Sequence, residues 1–244
     1  RRMMLERFTV GLESSEAACI LVHGVSVGEV KVAVAFAREL ARRRPGTEVV
    51  VSATTDTGLE VARRLHAGRV VRYPFDVAPV VERFLARLRP SAVVLVELEL
   101  WPNFLRCANR AGIPVAVING RMTPHSFGQY LLFRHALPQF NRVSLFCAQL
   151  EEHAERFRSL GGVRERALVT GNLKADNQGG SGAPDPAALA ALRALLGLAP
   201  GRAVVVAGST HEPEEHELCR AWRDSIPEAR WIFVASPLEQ EAEL

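Results

Sequence analysis

Apolar and polar positions along the chain follow two alternating patterns. Short runs of apolar, largely β-branched residues occur at 19–22, 48–52, 69–73, 92–97, 114–119, 143–148 and 166–170. Between the runs, apolar residues recur at three- and four-residue intervals, as in 80–88, where Arg83 and Arg87 lie on the opposite side of the predicted helix. Strands that alternate with helices predict an α/β fold, in which right-handed crossovers build a parallel sheet covered on both faces.

A change in composition divides the chain. Residues 178–185 are rich in Gly, Ser and Pro, which favour turns and mobile linkers. Beyond them we predict a helix at 186–196, a strand at 203–207, a helix at 213–223 and a strand at 230–235. The 244-residue chain, 48% hydrophobic, can bury a sizeable core. We therefore predict a complete N-terminal α/β domain at 1–177, a linker at 178–185 and the truncated start of a second α/β domain at 186–244.

The charged residues do not indicate nucleic-acid binding. The 30 Lys and Arg against 27 Asp and Glu leave a formal net charge of +3, which is too small to argue for a polyanionic partner. Several arginines nevertheless lie on three predicted helices of the first ninety residues: Arg38, Arg42, Arg43, Arg44, Arg63, Arg64, Arg83, Arg87 and Arg89. Two interpretations stay open for them, solvated helix faces and a surface for an anionic membrane.

Cysteine usage and hydropathy bear on location. The four cysteines are far apart and form no Cys-x-x-Cys pair, so we interpret them as reduced core thiols of a cytoplasmic chain. No stretch approaches the ~20 consecutive apolar residues that span a bilayer. The first seven residues lack the apolar core of a signal peptide. We therefore expect a soluble or peripheral protein.

The segment His23-Gly-Val-Ser-Val-Gly-Glu29 directly follows an apolar run and places a carboxylate at a strand-to-helix junction. Open α/β sheets bind their ligands at such strand ends. Gly24 and Gly28 permit a tight turn, and Ser26 can cap the new helix. Two interpretations of Glu29 stay open: a functional carboxylate, or an acidic residue that only favours the positive end of a helix dipole.

Further polar residues follow two later strands. Glu97 and Glu99 end an otherwise apolar run. The alternatives are polar chemistry, the capping of the helix at Asn103 by one of them, or the pairing of one of them with an arginine. Arg121 follows the next run, where a guanidinium can bind a carboxylate or phosphate in bidentate fashion.

In the second predicted domain, Gly208-Ser-Thr-His-Glu212 lies between a strand and a helix. Its backbone N–H groups and hydroxyls can hold a phosphate, or the segment is an ordinary capping box. The histidines show no metal-ligand spacing, so no metal site is predicted.

The segments around Glu29, Glu97 and Arg121, with Thr170-Gly-Asn-Leu-Lys-Ala-Asp176 and the segment from Gly208, occur in an order and spacing that resemble the 3-deoxy-D-manno-octulosonic acid (Kdo) transferases of lipid A assembly. The resemblance covers residues 19–234. It departs modestly at Gly120, Met122 and Thr123, where Ala, Leu and Ser are expected, and more strongly after Val234.

This resemblance implies a two-domain glycosyltransferase of the GT-B type, with Rossmann-like domains. It implies transfer of Kdo from CMP-Kdo to a lipid A precursor, with inversion and without metal or cofactor. Glu29 would be the general base. Ser26, Gly28, Glu97, Glu99 and Arg121 would bind the acceptor. The donor side would consist of Lys174, Gly208, Ser209, Thr210, His211 and Glu212.

The resemblance also implies a place at the cytoplasmic face of the inner membrane, peripheral because no anchor segment precedes residue 19. With its second domain short, the chain alone is expected to be inactive or weakly active. The alternatives are another GT-B glycosyltransferase, a sugar-nucleotide epimerase, or a non-catalytic remnant that binds anionic lipid.

Overall fold

The computed structural model describes residues 2–15, 17–133, 139–161, 164–173, 185–199, 201, 203–208, 210, 213–225 and 230–234. The chain divides into two compact units, Arg1–Gly180 and Ser181–Leu244. Helices and strands are numbered below in chain order through both units.

The first unit contains a parallel sheet of seven strands. They are β1 (Cys19–Gly24), β2 (Glu48–Ala53), β3 (Val70–Arg72), β4 (Pro90–Val96), β5 (Val115–Gly120), β6 (Leu145–Ala148) and β7 (Ala167–Val169). Their order across the sheet is β3-β2-β1-β4-β5-β6-β7, and every neighbouring pair is parallel. The predicted parallel α/β fold is confirmed. The strand order reverses between β1 and β4, which is where ligands bind in open sheets.

In the described part of the first unit, α-helices alternate with these strands. They are α1 (Arg2–Arg7), α2 (Val27–Arg43), α3 (Asp56–Leu65), α4 (Ala78–Leu88), α5 (Pro102–Arg110), α6 (Pro124–Phe133) and α7 (Glu151–Ser159). Short 3₁₀ turns lie at Gln139–Arg142 and Arg164–Arg166. None of the helices in the described ranges combines the length and the apolar composition that crossing a bilayer would need.

Each face of the sheet packs into its own apolar core. Alternate residues of β1 and β4, such as Leu21 and Leu95, pack with Phe84 of α4 and Phe104 of α5 on one face. The residues between them, such as Val22, pack on the other face with side chains of α2 and α3. Because both faces are covered, both alternating positions of the strands are apolar, which explains the continuous runs in the sequence.

The chain before β1 is held by arginines of β3 and α4. Arg83 donates to the hydroxyl of Thr9 (2.7 Å), and Arg87 donates to the backbone oxygens of Thr9 (3.0 Å) and Leu12 (3.1 Å). Arg72, whose side chain is 6% exposed, pairs with Glu6 (2.8 Å). Arg83 and Arg87 thus bind carbonyl and hydroxyl oxygens of this chain, a role that the sequence pattern did not indicate.

The arginines at the end of α2 behave differently. Arg42 and Arg43 both pair with the exposed carboxylate of Glu39, at 2.7 and 2.6 Å. Their side chains remain mostly exposed, so a solvated helix face describes them well.

The second unit contains α8 (Pro186–Leu195), β8 (Val204–Gly208), α9 (Glu214–Ser225) and β9 (Arg230–Val234). The two strands pair in parallel, with Val204 opposite Arg230 and Gly208 opposite Val234. These elements lie within two residues of the positions predicted from the sequence.

Candidate active site

The carboxyl ends of β1, β4 and β5 form one edge of the sheet. β1 pairs with β4, with His23 opposite Leu95, and β4 pairs with β5, with Val96 opposite Ile118. The turns that follow these three strands carry Glu29, Glu97, Glu99 and Arg121. The strand order therefore places the residues predicted from three distant segments at the crevice where the sheet reverses.

Glu29 is fixed by the turn on which it lies. Ser26 is the N-cap of α2: its hydroxyl accepts from the Glu29 N–H (3.2 Å) and donates to Glu29 Oε1 (2.9 Å). The backbone N–H of Val25 donates to Glu29 Oε2 (2.8 Å). Both carboxylate oxygens thus accept a hydrogen bond in a variant of the capping box, and the carboxylate has one well-defined orientation while the residue stays partly exposed.

The two glycines of this turn have different roles. A Cβ built on Gly24 would stand 2.8 Å from the backbone carbon of Glu29 and 3.0 Å from the backbone nitrogen of Val30, so only glycine allows β1 and α2 to approach this closely. Gly28 lies inside α2, and a Cβ there would meet only Ser26 Oγ, at 3.8 Å. The interpretation that Gly28 permits the turn is therefore wrong, and the helix surface at Gly28 is open beside Glu29.

Two non-glycine residues at neighbouring strand ends have left-handed backbones. Glu97, directly after β4, has φ 64°, and Asn119, at the end of β5, has φ 54°. Such residues are uncommon and concentrate at functional sites. Asn119 is fully buried; its Oδ1 accepts from Leu173 N (3.0 Å) and its backbone oxygen from Gln149 Nε2 (3.1 Å).

The surroundings of Glu99 raise the pKa of its carboxyl group. Burial raises the pKa of Glu99, and the negative charges of Glu29 and Glu97 raise it further, while a hydrogen bond from the indole of Trp101 (2.9 Å) opposes the rise. Because the charges of both Glu29 and Glu97 influence Glu99, the three carboxyl groups lie in one neighbourhood at this edge.

The capping alternative for Glu97 and Glu99 is excluded. The first turn of α5 is capped by Asp76, whose two carboxylate oxygens accept from Asn103 N (3.0 Å) and Phe104 N (2.7 Å). Trp101, the N-cap residue, supplies no side-chain cap. Neither glutamate is needed for the start of this helix.

Two tyrosines near the carboxyl groups were not predicted from the sequence. Tyr73 is 1% exposed and stacks on His23 at 3.7 Å; burial, followed by the charges of Asp76 and Glu99, raises its pKa well above the ordinary value. Tyr130 of α6 packs edge-on against Phe140, and its pKa is raised by burial and then by Glu99. Both are aromatic residues in apolar surroundings, which the sequence cannot distinguish from ordinary core residues.

Below the tyrosine ring, His23 is fully buried. Its Nδ1 lies 3.0 Å from Ser52 Oγ and 3.2 Å from the Ser52 backbone oxygen, and burial lowers the pKa of His23 to about 3. The ring is therefore neutral at physiological pH, and its face packs against the ring of Tyr73.

Arg121 extends from a loop that is anchored on α7. The side chain of Met122 is fully buried, and its backbone oxygen accepts from His153 Nδ1 (3.1 Å) and from Arg156. Arg121 itself is exposed, and the part of the chain that the structure describes gives its guanidinium no ion pair or hydrogen bond. The loop is thus fixed while its cation is available to an anionic ligand.

The residues predicted for the donor are only partly described. Gly208 ends β8, and Thr210 donates from Oγ1 to Glu215 Oε1 (2.8 Å) in the second unit. Ser209, His211, Glu212 and Lys174 lie outside the described residues. Among the residues with described positions, no group of His, Cys, Asp and Glu is arranged to hold a metal ion.

Comparison with known proteins places the chain in a family. The family described as 3-Deoxy-D-manno-octulosonic-acid transferase (kdotransferase) matches residues 2–177. Proteins named 3-deoxy-D-manno-octulosonic acid transferase match from Chlamydia pneumoniae (34% identical, 65% of this chain, 37% of the relative) and Bordetella pertussis (34%, 82% and 46%). The chain spans less than half the length of these relatives.

Solved structures resemble the chain in fold. The UDP-GlcNAc 2-epimerase from Neisseria meningitidis bound to UDP-GlcNAc superimposes with a TM-score of 0.61 at 11% identity, covering 88% of this chain and 65% of that one. HepE from Anabaena, in complex with UDP and glucose, superimposes with a TM-score of 0.60 at 18% identity, covering 90% and 62%. The predicted GT-B fold class is therefore confirmed.

Proposed function

The chain belongs to the family of 3-deoxy-D-manno-octulosonic acid (Kdo) transferases, and from this membership we propose that it takes part in the transfer of Kdo from CMP-Kdo to a lipid A precursor. The proposed reaction inverts the anomeric carbon and uses neither metal nor cofactor. The observation that carries the proposal is the group of three carboxylates, Glu29, Glu97 and Glu99, at the reversal of the sheet.

In the proposed mechanism, Glu29 is the general base. A hydroxyl oxygen of the acceptor attacks the anomeric carbon of Kdo, the bond from that carbon to the CMP phosphate oxygen breaks, and the hydroxyl proton passes to Glu29. The bonds from Val25 N and Ser26 Oγ hold the carboxylate in place before the attack, so little reorganisation is needed at the moment of proton transfer.

Glu99 would complement this base. Because its pKa is raised, Glu99 takes up a proton more readily than an ordinary glutamate, and in the protonated form its O–H can donate to an acceptor oxygen. A protonated Glu99 also removes one negative charge from beside Glu29. Glu97 would accept from acceptor hydroxyls on the same edge.

The remaining site residues are proposed to bind anionic groups and the acceptor surface. Arg121, exposed on its anchored loop, would bind a carboxylate or phosphate. Ser26 and Gly28 would contact the acceptor, for which the open helix surface at Gly28 leaves space. Lys174, Gly208, Ser209, Thr210, His211 and Glu212 are proposed to bind CMP-Kdo.

We further propose an anionic membrane surface as a partner, with the protein peripheral at the cytoplasmic face of the inner membrane. A lipid A precursor presents its phosphates and hydroxyl groups at such a surface. Nucleic acid is not a proposed partner, since the net charge is only +3.

A transfer assay tests the proposal. Because the chain spans less than half of its relatives, CMP-Kdo and a lipid A precursor are incubated with this chain and with the chain extended by the C-terminal part of the Bordetella relative. Glu29→Gln should lower turnover ~10²- to 10⁴-fold. Glu39→Gln, an exposed carboxylate at the other end of α2, is the matched control and should leave turnover unchanged.

Three results would contradict the proposal. Normal turnover by Glu29→Gln would exclude Glu29 as the general base. Conversion of a UDP-sugar without any reaction of CMP-Kdo would favour an epimerase or another glycosyltransferase. Flotation with anionic vesicles without binding of CMP would favour a non-catalytic lipid-binding protein.

A further inference from the structure

The turn between β2 and α3 contacts the turn that carries Glu29. Thr55 Oγ1 donates a hydrogen bond to the backbone oxygen of Val25 (3.1 Å), thirty residues earlier in the chain. Val25 lies between the close approach at Gly24 and the cap residue Ser26. The contact therefore joins two neighbouring turns at the carboxyl edge of the sheet.

Val25 is held through both of its backbone polar groups. Its oxygen accepts from Thr55, and its N–H donates to Glu29 Oε2 (2.8 Å). These two groups belong to the peptide planes on either side of the Val25 Cα, so a hydrogen bond holds each of the two planes. Thr55 is thus connected to Glu29 through a single residue.

The turn between β2 and α3 packs closely against the segment around Val25. The oxygen of Thr55 also accepts from Gly58 N (3.0 Å), which makes Thr55 the N-cap of α3. A Cβ on Gly58 would stand 2.8 Å from Thr55 Oγ1 and 3.1 Å from the Val25 oxygen. The two turns are therefore in contact over Gly58.

A capping role alone does not explain this arrangement. Ser, Thr, Asp and Asn all cap helices well by accepting from the backbone. Among these, only a hydroxyl accepts and donates through one oxygen atom. The bond to Val25 uses the donor that a carboxylate cap would lack.

We propose that Thr55 is a positioning residue for Glu29, acting through the backbone of Val25. The proposal rests on the proposed function of Glu29 as general base. Thr55 touches neither the acceptor nor the donor in this proposal; it holds the N–H that orients the carboxylate.

Three variants separate positioning from capping. Thr55→Ser keeps donor and acceptor, Thr55→Asp keeps only the acceptor that caps α3, and Thr55→Val removes both. We expect Thr55→Asp to keep the thermal unfolding midpoint but to lower kcat roughly 10- to 100-fold, with KM unchanged. Thr55→Ser should restore kcat. Thr47→Val, at the opposite edge of the sheet before β2, is the control and should change neither value.

A second measurement does not depend on turnover. In ¹⁵N-labelled protein, the amide resonance of Val25 should move in Thr55→Asp and Thr55→Val, in the direction in which Glu29→Gln moves it, and should stay in place in Thr55→Ser. If the extended chain without these substitutions transfers no Kdo, the proposed function fails while the Val25 resonance still decides the role of Thr55. An unchanged Val25 resonance in Thr55→Val, or full kcat in Thr55→Asp, would overturn the proposal.

Discussion

The indole N–H of Trp101 donates a 2.9 Å hydrogen bond to Oε2 of Glu99. The bond favours the ionised carboxylate, whereas burial and the charges of Glu29 and Glu97 disfavour it. The balance still raises the pKa of Glu99, so this half-buried carboxyl group keeps its proton to a higher pH than an ordinary glutamate does.

The raised pKa makes stability depend on pH. The unfolded carboxyl titrates near ~4.3, so between that value and the higher folded pKa the folded state binds more protons, and stability falls as pH rises. Glu99→Gln removes the charge but keeps an acceptor for Trp101. We expect it to raise the free energy of unfolding at pH 7 and to have little effect near pH 4, measured by urea unfolding. Glu60→Gln on the surface of α3 is the control; an effect of Glu99→Gln that does not vary with pH would contradict the argument.

The two glycines beside Glu29 should respond in opposite ways to alanine. Gly24→Ala forces a Cβ against the backbone of Glu29, and such overpacking costs about 1–3 kcal/mol. Gly28→Ala has room and should match or slightly exceed the parent in stability, because alanine favours helices. If Gly28 binds the acceptor as proposed, Gly28→Ala should nevertheless raise KM for the acceptor. Equal unfolding midpoints for the two variants would contradict the packing described here.

Asp76 should be needed for the first turn of α5. Asp76→Ala leaves the N–H groups of Asn103 and Phe104 without their acceptor and should cost about 1–2 kcal/mol of stability. Asp76→Asn keeps one oxygen and should cost less. Amide hydrogen exchange at Asn103 and Phe104 checks the cause, since it should accelerate in Asp76→Ala. Unchanged exchange there would mean that another group caps the helix.

Substitution of Arg87 should lower stability more than substitution of Arg42, although both are arginines on a helix surface. Arg87→Met removes the donor to the Thr9 and Leu12 oxygens and should cost about 1–3 kcal/mol. It should also expose residues 8–12 to protease. Arg42→Met breaks only an exposed pair with Glu39 and should change stability little. Similar stability losses for both variants would show that the segment before β1 is not held by Arg87.

The sheet could be predicted because each strand is marked by its own run of apolar residues. The inner strands, such as β1 and β4, are covered on both faces and appear in the sequence as short apolar runs, and each of the seven predicted runs contains a strand. The predicted runs at 69–73 and 166–170 were longer than β3 and β7, because only three residues of each pair with a neighbour. Strand length at the sheet edge depends on the neighbour, which the sequence pattern does not contain.

The site was predictable where a residue follows its own strand, as Glu29, Glu97, Glu99 and Arg121 do. The residues missed, such as Asp76, Tyr73 and Thr55, act across turns that are far apart in sequence. Asp76 caps a helix that starts twenty-six residues later, and no local pattern signals such a partner. The contacts of Arg83 and Arg87 were missed for the same reason, since their acceptors lie in residues 8–12.

The left-handed backbones of Glu97 and Asn119 have a consequence for protein engineering. For a residue with a Cβ, this conformation costs roughly 1–2 kcal/mol, less for asparagine, and glycine avoids the cost. At Asn119 the loss of the buried hydrogen bond from Leu173 N opposes this gain. Directed evolution for heat resistance alone should therefore accept glycine at Glu97 and keep Asn119. A library screened only by melting temperature would enrich that substitution, and the most stable clones would be those that had lost the Glu97 carboxylate.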